Sequence, residues 1–285
     1  MQPARTAAAK SVTGQNTQSR QATTVFTTIV QMNKKYQTGL MWFRRDLRVD
    51  DNAALFHALK SCEQVFCVFI FDRAILDGLP RADRRVEFIR ESLVDLNRQL
   101  AHASRKEASL PSGLLVRHGN VPDLLPALTA RLAVNAVFIN HDDEPSSLRR
   151  DAMVQDLLEH EEVAFHSFKD HLVFERSEVL TLAGKPYTVF TPYKNAWLKK
   201  VDDSYLNSYP VEKYALALAA LPVDESNNVP SLADLGFEKT NFSEIGIPVG
   251  SHGGNLLFEE FLGRMAQYRQ ARDFPAVKGP SYLSV

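Results

Sequence analysis

From about Leu40 to Phe168 the chain alternates short apolar runs with segments of helical period, and this most constrains its fold. Residues 65–71 (Val-Phe-Cys-Val-Phe-Ile-Phe) are continuously apolar, β-branched and aromatic, as expected of a strand buried on both faces. Residues 40–43, 114–116, 136–139 and 163–168 are four further candidate strands. The clearest helix is predicted from about residue 82 to 102, where Val86, Ile89, Leu93, Leu96 and Leu100 form one stripe that reads as core. Segments 52–59, 123–132 and 147–161 fill the other gaps. The pattern predicts an α/β fold, a doubly wound, five-stranded, mainly parallel sheet with helices on both faces.

Ligands of such sheets sit outside the carboxyl ends of the strands, at a switch in strand order. Here those ends read Arg44-Arg45-Asp46-Leu47-Arg48, Asp72-Arg73, Arg117-His118-Gly119-Asn120 and Asn140-His141-Asp142-Asp143-Glu144. They suit a heteroaromatic or anionic ligand, although strand ends are polar in any such fold. No G-x-G-x-x-G follows the first strand and there is no P-loop, so the common dinucleotide and ATP fingerprints are missing. The 45% hydrophobic and 24% charged composition suits a globular protein. No apolar run approaches the roughly 20 residues that span a bilayer. A net charge of −1 gives no global pull toward nucleic acid, so any DNA contact needs a local patch. Cys62 and Cys67 read as buried free thiols of a reduced, cytoplasmic protein, with no metal site; the chain is expected to be monomeric.

Residues 1–45 contain no Asp or Glu, and the stretch to about Lys35 is rich in Ser, Thr, Gln and Ala without apolar period. Residues 1–36 are therefore predicted to be a disordered extension; a transit peptide and an over-long start upstream of Met32 both fit, and the second is preferred. Residues 37–170 are expected to form the α/β domain. In 171–250, residues 180–190 read as a hairpin turning at 183–186, a short helix follows Pro192 with Trp197 as a core anchor, and 201–250 read as a long connection. Residues 251–285 open a further domain with a helix from about Asn255, striped by Phe258, Phe261, Leu262 and Met265.

Four segments in order carry a family resemblance. Residues 41–52 (Met-Trp-Phe-Arg-Arg-Asp-Leu-Arg-Val-Asp-Asp-Asn) are similar to the W-F-R-x-D-L-R-x-x-D-N opening of DNA photolyases and cryptochromes. Residues 140–145 with Arg150-Asp151 resemble the family's loop after the fourth strand, and 189–198 its V-F-T-P-F-x-x-A-W run. Residues 268–279 (Tyr-Arg-Gln-Ala-Arg-Asp-Phe-Pro-Ala-Val-Lys-Gly) resemble the flavin-site entry of bacterial class I photolyases acting on cyclobutane pyrimidine dimers. The resemblance implies a photolyase amino-terminal half: the Rossmann-like antenna domain, a linker, and the first helix of an all-α FAD-binding domain. It implies DNA repair in which reduced FAD, excited by light, splits a dimer flipped out of the duplex, a carbon–carbon lyase reaction. A folate or deazaflavin antenna is also implied. Catalytic residues are expected downstream of Val285, so the chain alone is expected to be inactive, as a truncated gene, a frameshift or a fragmentary sequence would make it. A cryptochrome-type photoreceptor and a non-catalytic chromophore-binding fragment are the alternatives.

The resemblance sets Tyr268 against the FAD phosphates and Ser281, Leu283 and Ser284 in the diphosphate loop. Pro280 departs from the family's Thr there, which removes a hydroxyl and an N–H. Arg272 aligns near the DNA-facing rim, where a phosphate contact and a salt bridge with Asp273 are both open. The antenna candidates are Arg44, Asp46, Arg48, Asn140 and Glu144; for Arg44 and Arg48 beside Asp46, a local ion-pair network at the strand-to-helix turn is the competing reading. Folate-binding members carry Asn-Glu where this chain has Ser146-Ser147, which reads as a helix cap and argues against folate unless Glu144 substitutes.

Overall fold

A computed structural model describes residues 34–104, 112–225, 228–274 and 276–277. Strands β1 (Tyr36–Phe43), β2 (Cys62–Asp72), β3 (Leu114–Gly119), β4 (Ala136–Asn140) and β5 (Ala164–Phe168) form one sheet in the order β3-β2-β1-β4-β5. Every pairing is parallel, so the doubly wound sheet expected from the alternation is present and is wholly, not mainly, parallel. The chain steps outward from β1 to β2 and β3, then crosses back to β4 and β5. Strand order therefore reverses between β1 and β4.

Side-chain alternation along β1 builds the two layers. Met41 and Phe43 join the core under helices α1 (Ala53–Ser61) and α3 (Arg84–Ala103). Leu40 and Trp42 join the opposite core, under α4 (Val121–Arg131) and α5 (Pro145–His160). The short helix α2 (Arg73–Leu76) follows β2, capped by the Asp72 carboxylate on Ala74 N–H. On α3, Val86, Leu93, Leu96 and Leu100 are buried as their spacing predicts, and Ile89 is half-buried. Cys62 and Cys67 are buried free thiols; burial pushes both thiol pKa values up, that of Cys62 to about 12. No described helix is long and apolar enough to cross a membrane.

Several segments depart from expectation. β1 begins at Tyr36, inside the proposed extension, because polar Gln37 and Thr38 conceal its first turn of pleat. Thr38 N–H donates to Asn135 Oδ1 (2.9 Å), and the Tyr36 hydroxyl meets His166 Nε2 at 2.8 Å. Residues 1–33 of that extension lie outside the described residues. Residues 180–190 are not a hairpin but a single turn, with Thr181 N–H donating to Lys185 O (2.9 Å). Leu182 and Phe190 are exposed, so the two arms have no surface on which to pair. Helix α6 (Phe190–Lys200) buries no residue, so Trp197 is not a core anchor; its ring meets Phe174 edge-on at 5.5 Å.

The connection from 201 onward is pinned to the α/β core. Val211, Ala215, Leu218, Leu235 and Phe237 are buried in it, and Ala219 N–H donates to Val65 O (2.9 Å). Glu87 Oε2 accepts from both the N–H (2.8 Å) and the hydroxyl (2.6 Å) of Thr240. These apolar residues are spaced without period, so no pattern announces them. After α7 (Phe242–Ile245), α8 (Gly250–Leu262) begins five residues before the expected Asn255 and lies against α3. Phe261 is buried, whereas Phe258, Leu262 and Met265 are exposed; a 3-10 turn (Met265–Gln267) leads into α9 (Tyr268–Ala271).

The α1 and β5 side of the core holds a pH-sensitive pair. His57 stacks on Phe168 at 4.3 Å. Burial, then Lys60 and His166, lower its pKa; burial, then Lys35, lower that of His166. A lowered folded-state value means that this stability is complete above the ordinary histidine pKa of 6.5 and is lost as pH falls below it. Thermal melts are expected to show a lower Tm at pH 5.5 than at 7.5. The drop should shrink in the His57→Gln/His166→Gln double variant; an identical drop would contradict the assignment.

Candidate functional site at the carboxyl edge of the sheet

The reversal of strand order brings the ends of β1 and β4 together, and Asn140 is the hub there. Its Oδ1 accepts from Ala54 N–H (2.9 Å), and its Nδ2 donates to Asp46 Oδ2 (2.6 Å) and Asn52 Oδ1 (2.9 Å). Asp46 also accepts from Arg44 N–H (2.9 Å) and from Asn52 Nδ2 (3.2 Å). Asn52 caps α1 by accepting from Leu55 N–H (3.0 Å). Asp170 accepts from Ala53 N–H (3.0 Å) and pairs with Arg48 (2.9 Å). The first three donors of α1 thus all have side-chain acceptors inside the protein, which leaves that helix end no role in holding an external anion.

Arg44 reaches away from this lock. Its Nη1 donates to both Asp151 oxygens at 2.7 Å, and its Nη2 to Asn140 O. The arginines therefore tie β1 to α5 and to the chain after β5, and Arg48 also holds its own turn by donating to Asp51 O at 2.6 Å. Exposed Arg45 pairs with Glu144 at 2.7 Å. The Ser146-Ser147 cap is also corrected: Glu144 is the N-cap residue, and the Ser147 hydroxyl instead donates to Asp142 Oδ2 at 3.0 Å. Burial alone would raise the Asp142 carboxyl. Hydrogen bonds from Glu144 N–H and Ser147, with the Arg45 and Arg44 charges, hold it below the usual range.

Two cavities flank this lock and share Arg44, Arg45 and Asp142. The first, of about 200 Å³, is lined by Arg48, Asp46, Asn140, His141 and His171. The second, of about 360 Å³, lies at the ends of β1 and β2 and is lined by Trp42, Phe69, Phe71, Ile89, Glu144 and Arg150. The five antenna candidates thus come to one edge, with Asp46, Arg48 and Asn140 in the first cavity, Glu144 in the second and Arg44 in both. Sequence reasoning missed the second cavity's main features. Buried Trp42 lies 5.2 Å from each of the Arg44 and Arg150 guanidinium centres. Arg150 reaches Asp72 at 3.5 Å and Asp151 at 3.6 Å, yet its Nε is buried with no hydrogen-bond partner. Arg150 is among the residues that line this cavity, and a buried donor of this kind calls for an acceptor. The signal was the Arg150-Asp151 pair, which lies ten residues past the end of β4 in the sequence.

The flavin-site candidates lie elsewhere. Tyr268 is exposed on α9, edge-on to Phe261 at 5.4 Å. Exposed Arg272 has its Nε 3.6 Å from Asp273. Neither lines either cavity. Ser281, Leu283 and Ser284, with Pro280, lie outside the described residues.

The sequence model of the DNA photolyase family matches residues 39–213, more than half of the chain. The chain belongs to the DNA photolyase family. It is 30% identical over 251 residues to the deoxyribodipyrimidine photo-lyase of Synechococcus sp. (strain ATCC 27144 / PCC 6301), an alignment covering 86% of this chain and 49% of that protein. The chain spans about half the length of the curated photolyases it matches. Among solved structures, a class III photolyase from Agrobacterium tumefaciens superposes with a TM-score of 0.72 at 24% identity, over 90% of this chain and 51% of that one. An archaeal photolyase from Sulfolobus tokodaii, solved with two FAD molecules, superposes with a TM-score of 0.57 at 23% identity, over 87% and 51%. Both show the shared fold.

Proposed function

We propose that this chain is the chromophore-bearing α/β part of a flavin-dependent photolyase that splits cyclobutane pyrimidine dimers in DNA with light. The second cavity carries the reading: an aromatic enclosure beyond the strand ends with a buried donor in its wall. It fits a flat heteroaromatic ring bearing an acceptor. Trp42, Phe69 and Phe71 would bound the ring and exclude water, and Arg150 Nε would donate to it. When bound, such a chromophore absorbs light and passes the energy to FAD. Deazaflavin is favoured over folate, because the Ser147 hydroxyl is engaged by Asp142 and Glu144 by Arg45. Arg44 would act by holding Trp42 and Asp151, whereas Asp46, Arg48 and Asn140 would hold the rim of the first cavity. FAD is assigned to Tyr268, Ser281, Leu283 and Ser284, and a DNA phosphate to Arg272, on the resemblance.

Titrating the purified chain with deazaflavin and, separately, with methenyltetrahydrofolate tests this through tryptophan fluorescence. Saturable quenching by deazaflavin, absent in Trp42→Phe, is expected. Quenching by folate alone would reverse the choice of chromophore, and quenching by neither would overturn the reading.

A further inference from the structure

His141, the first residue past β4, is engaged at both ring nitrogens. Nδ1 lies 2.7 Å from Glu175 Oε2, and Nε2 lies 3.2 Å from Ser167 Oγ. The Glu175 side chain is 9% exposed, whereas Ser167 is exposed on β5. In the neutral ring, a buried carboxylate accepting from Nδ1–H leaves the lone pair on Nε2. That lone pair accepts the proton of the serine hydroxyl.

The fold accounts for the alignment. Ser167 sits opposite Ile139 in the β4–β5 ladder, so residue 141, two positions on, shares its face. β5 is an edge strand. Ala164 N–H donates to Asn135 O, and Phe168 O accepts from His141 N–H. The two-residue alternation of a parallel ladder therefore points the N–H of Ser167 away from β4, over the open edge. Ser167 and Glu175 line neither of the two cavities, and of the three residues only His141 also borders the first.

The geometry points to Ser167, His141 and Glu175 as an acyl-transfer site that hydrolyses small activated carboxylic esters. Ser167 Oγ attacks the acyl carbon while its proton passes to His141 Nε2. The carbon–oxygen bond to the leaving group breaks, and the departing alkoxide takes that proton. A water, deprotonated by Nε2, then attacks the acyl-serine, releasing the acid and restoring the hydroxyl. Ser167 and His141 are the catalytic residues, and Glu175 is a positioning residue. The outward N–H of Ser167 is placed to hold the oxyanion. One missing oxyanion donor typically costs 10²–10³ in rate, so a site with a single backbone donor turns over slowly and is best detected through its covalent adduct.

The test incubates the full chain with a fluorophosphonate probe and maps the adduct by peptide mass. One adduct per chain on Ser167 is expected, absent in Ser167→Ala. His141→Gln and Glu175→Gln are each expected to slow labelling at least tenfold. Glu175→Gln should do so at unchanged Tm, and added imidazole should restore labelling to His141→Gly. The position of the adduct in the unaltered chain decides the matter even where a variant fails to fold. No adduct on Ser167, or labelling at the same rate in His141→Gln, would overturn the assignment.

Discussion

Purified alone and supplied with reduced FAD, the 285-residue chain is expected to retain no stoichiometric flavin and to leave pyrimidine dimers intact under blue light. A ligand of that size is held by enclosure, with most of its surface buried in a walled pocket. Tyr268 is 38% exposed and lines neither cavity at the sheet edge. A phenol offers a phosphate one hydrogen bond, worth about 1.5–3 kcal/mol. Micromolar binding needs roughly 8 kcal/mol, so such a contact falls well short. The exposed Phe258, Leu262, Met265 and Phe274 also favour self-association over ligand binding. The visible spectrum after gel filtration and the dimer content of an irradiated oligonucleotide are the measurements. A one-to-one flavin band, or light-dependent loss of dimers, would contradict this account.

Asn140→Ala is expected to destabilise the α/β domain far more than Arg45→Ala at the same edge of the sheet. Alanine removes three hydrogen bonds at once and leaves Ala54 N–H without its acceptor in the core. It also takes one donor from the Asp46 carboxylate. Each unsatisfied buried group costs about 1–3 kcal/mol, so a total of about 3 kcal/mol or more is expected. For a domain of this size that lowers Tm by roughly 6–12 °C. Arg45→Ala, which breaks the exposed pair with Glu144 and a longer contact with Asp142 (3.6 Å), is expected to change Tm by no more than about 1–2 °C. Equal, small shifts in both would show that Asn140 is not the hub described.

Most of the sheet was legible because burial on both faces leaves a continuous apolar signature, as in residues 65–71, and α3 announces itself by its stripe. The start of β1 was hidden because Gln37 and Thr38 are polar, although their backbone is paired on the sheet. The docked connection was hidden because Val211, Leu218, Leu235 and Phe237 reach the core from irregular backbone, which has no period to read. At the site, the motif drew the eye to Arg44, Asp46, Arg48 and Asn140, which proved to hold one another. Trp42 and Arg150 were harder to see, since a tryptophan in an apolar strand reads as core and an arginine on a helix reads as surface. Only the fold sets the two side by side.

The aromatic cavity at the ends of β1 and β2 is proposed to hold a flat chromophore through Arg150. Arg150→Met keeps most of the side-chain length and the packing on Trp42 but removes the buried donor, while Asp151 retains its bidentate partner Arg44. The decisive measurement is the deazaflavin Kd of this variant against the unaltered chain, with Tm recorded for both. A hydrogen bond from a charged donor contributes about 1.5–3 kcal/mol, so Kd is expected to rise roughly ten- to a hundredfold while the fold persists. An unchanged Kd in a folded Arg150→Met protein would contradict the account.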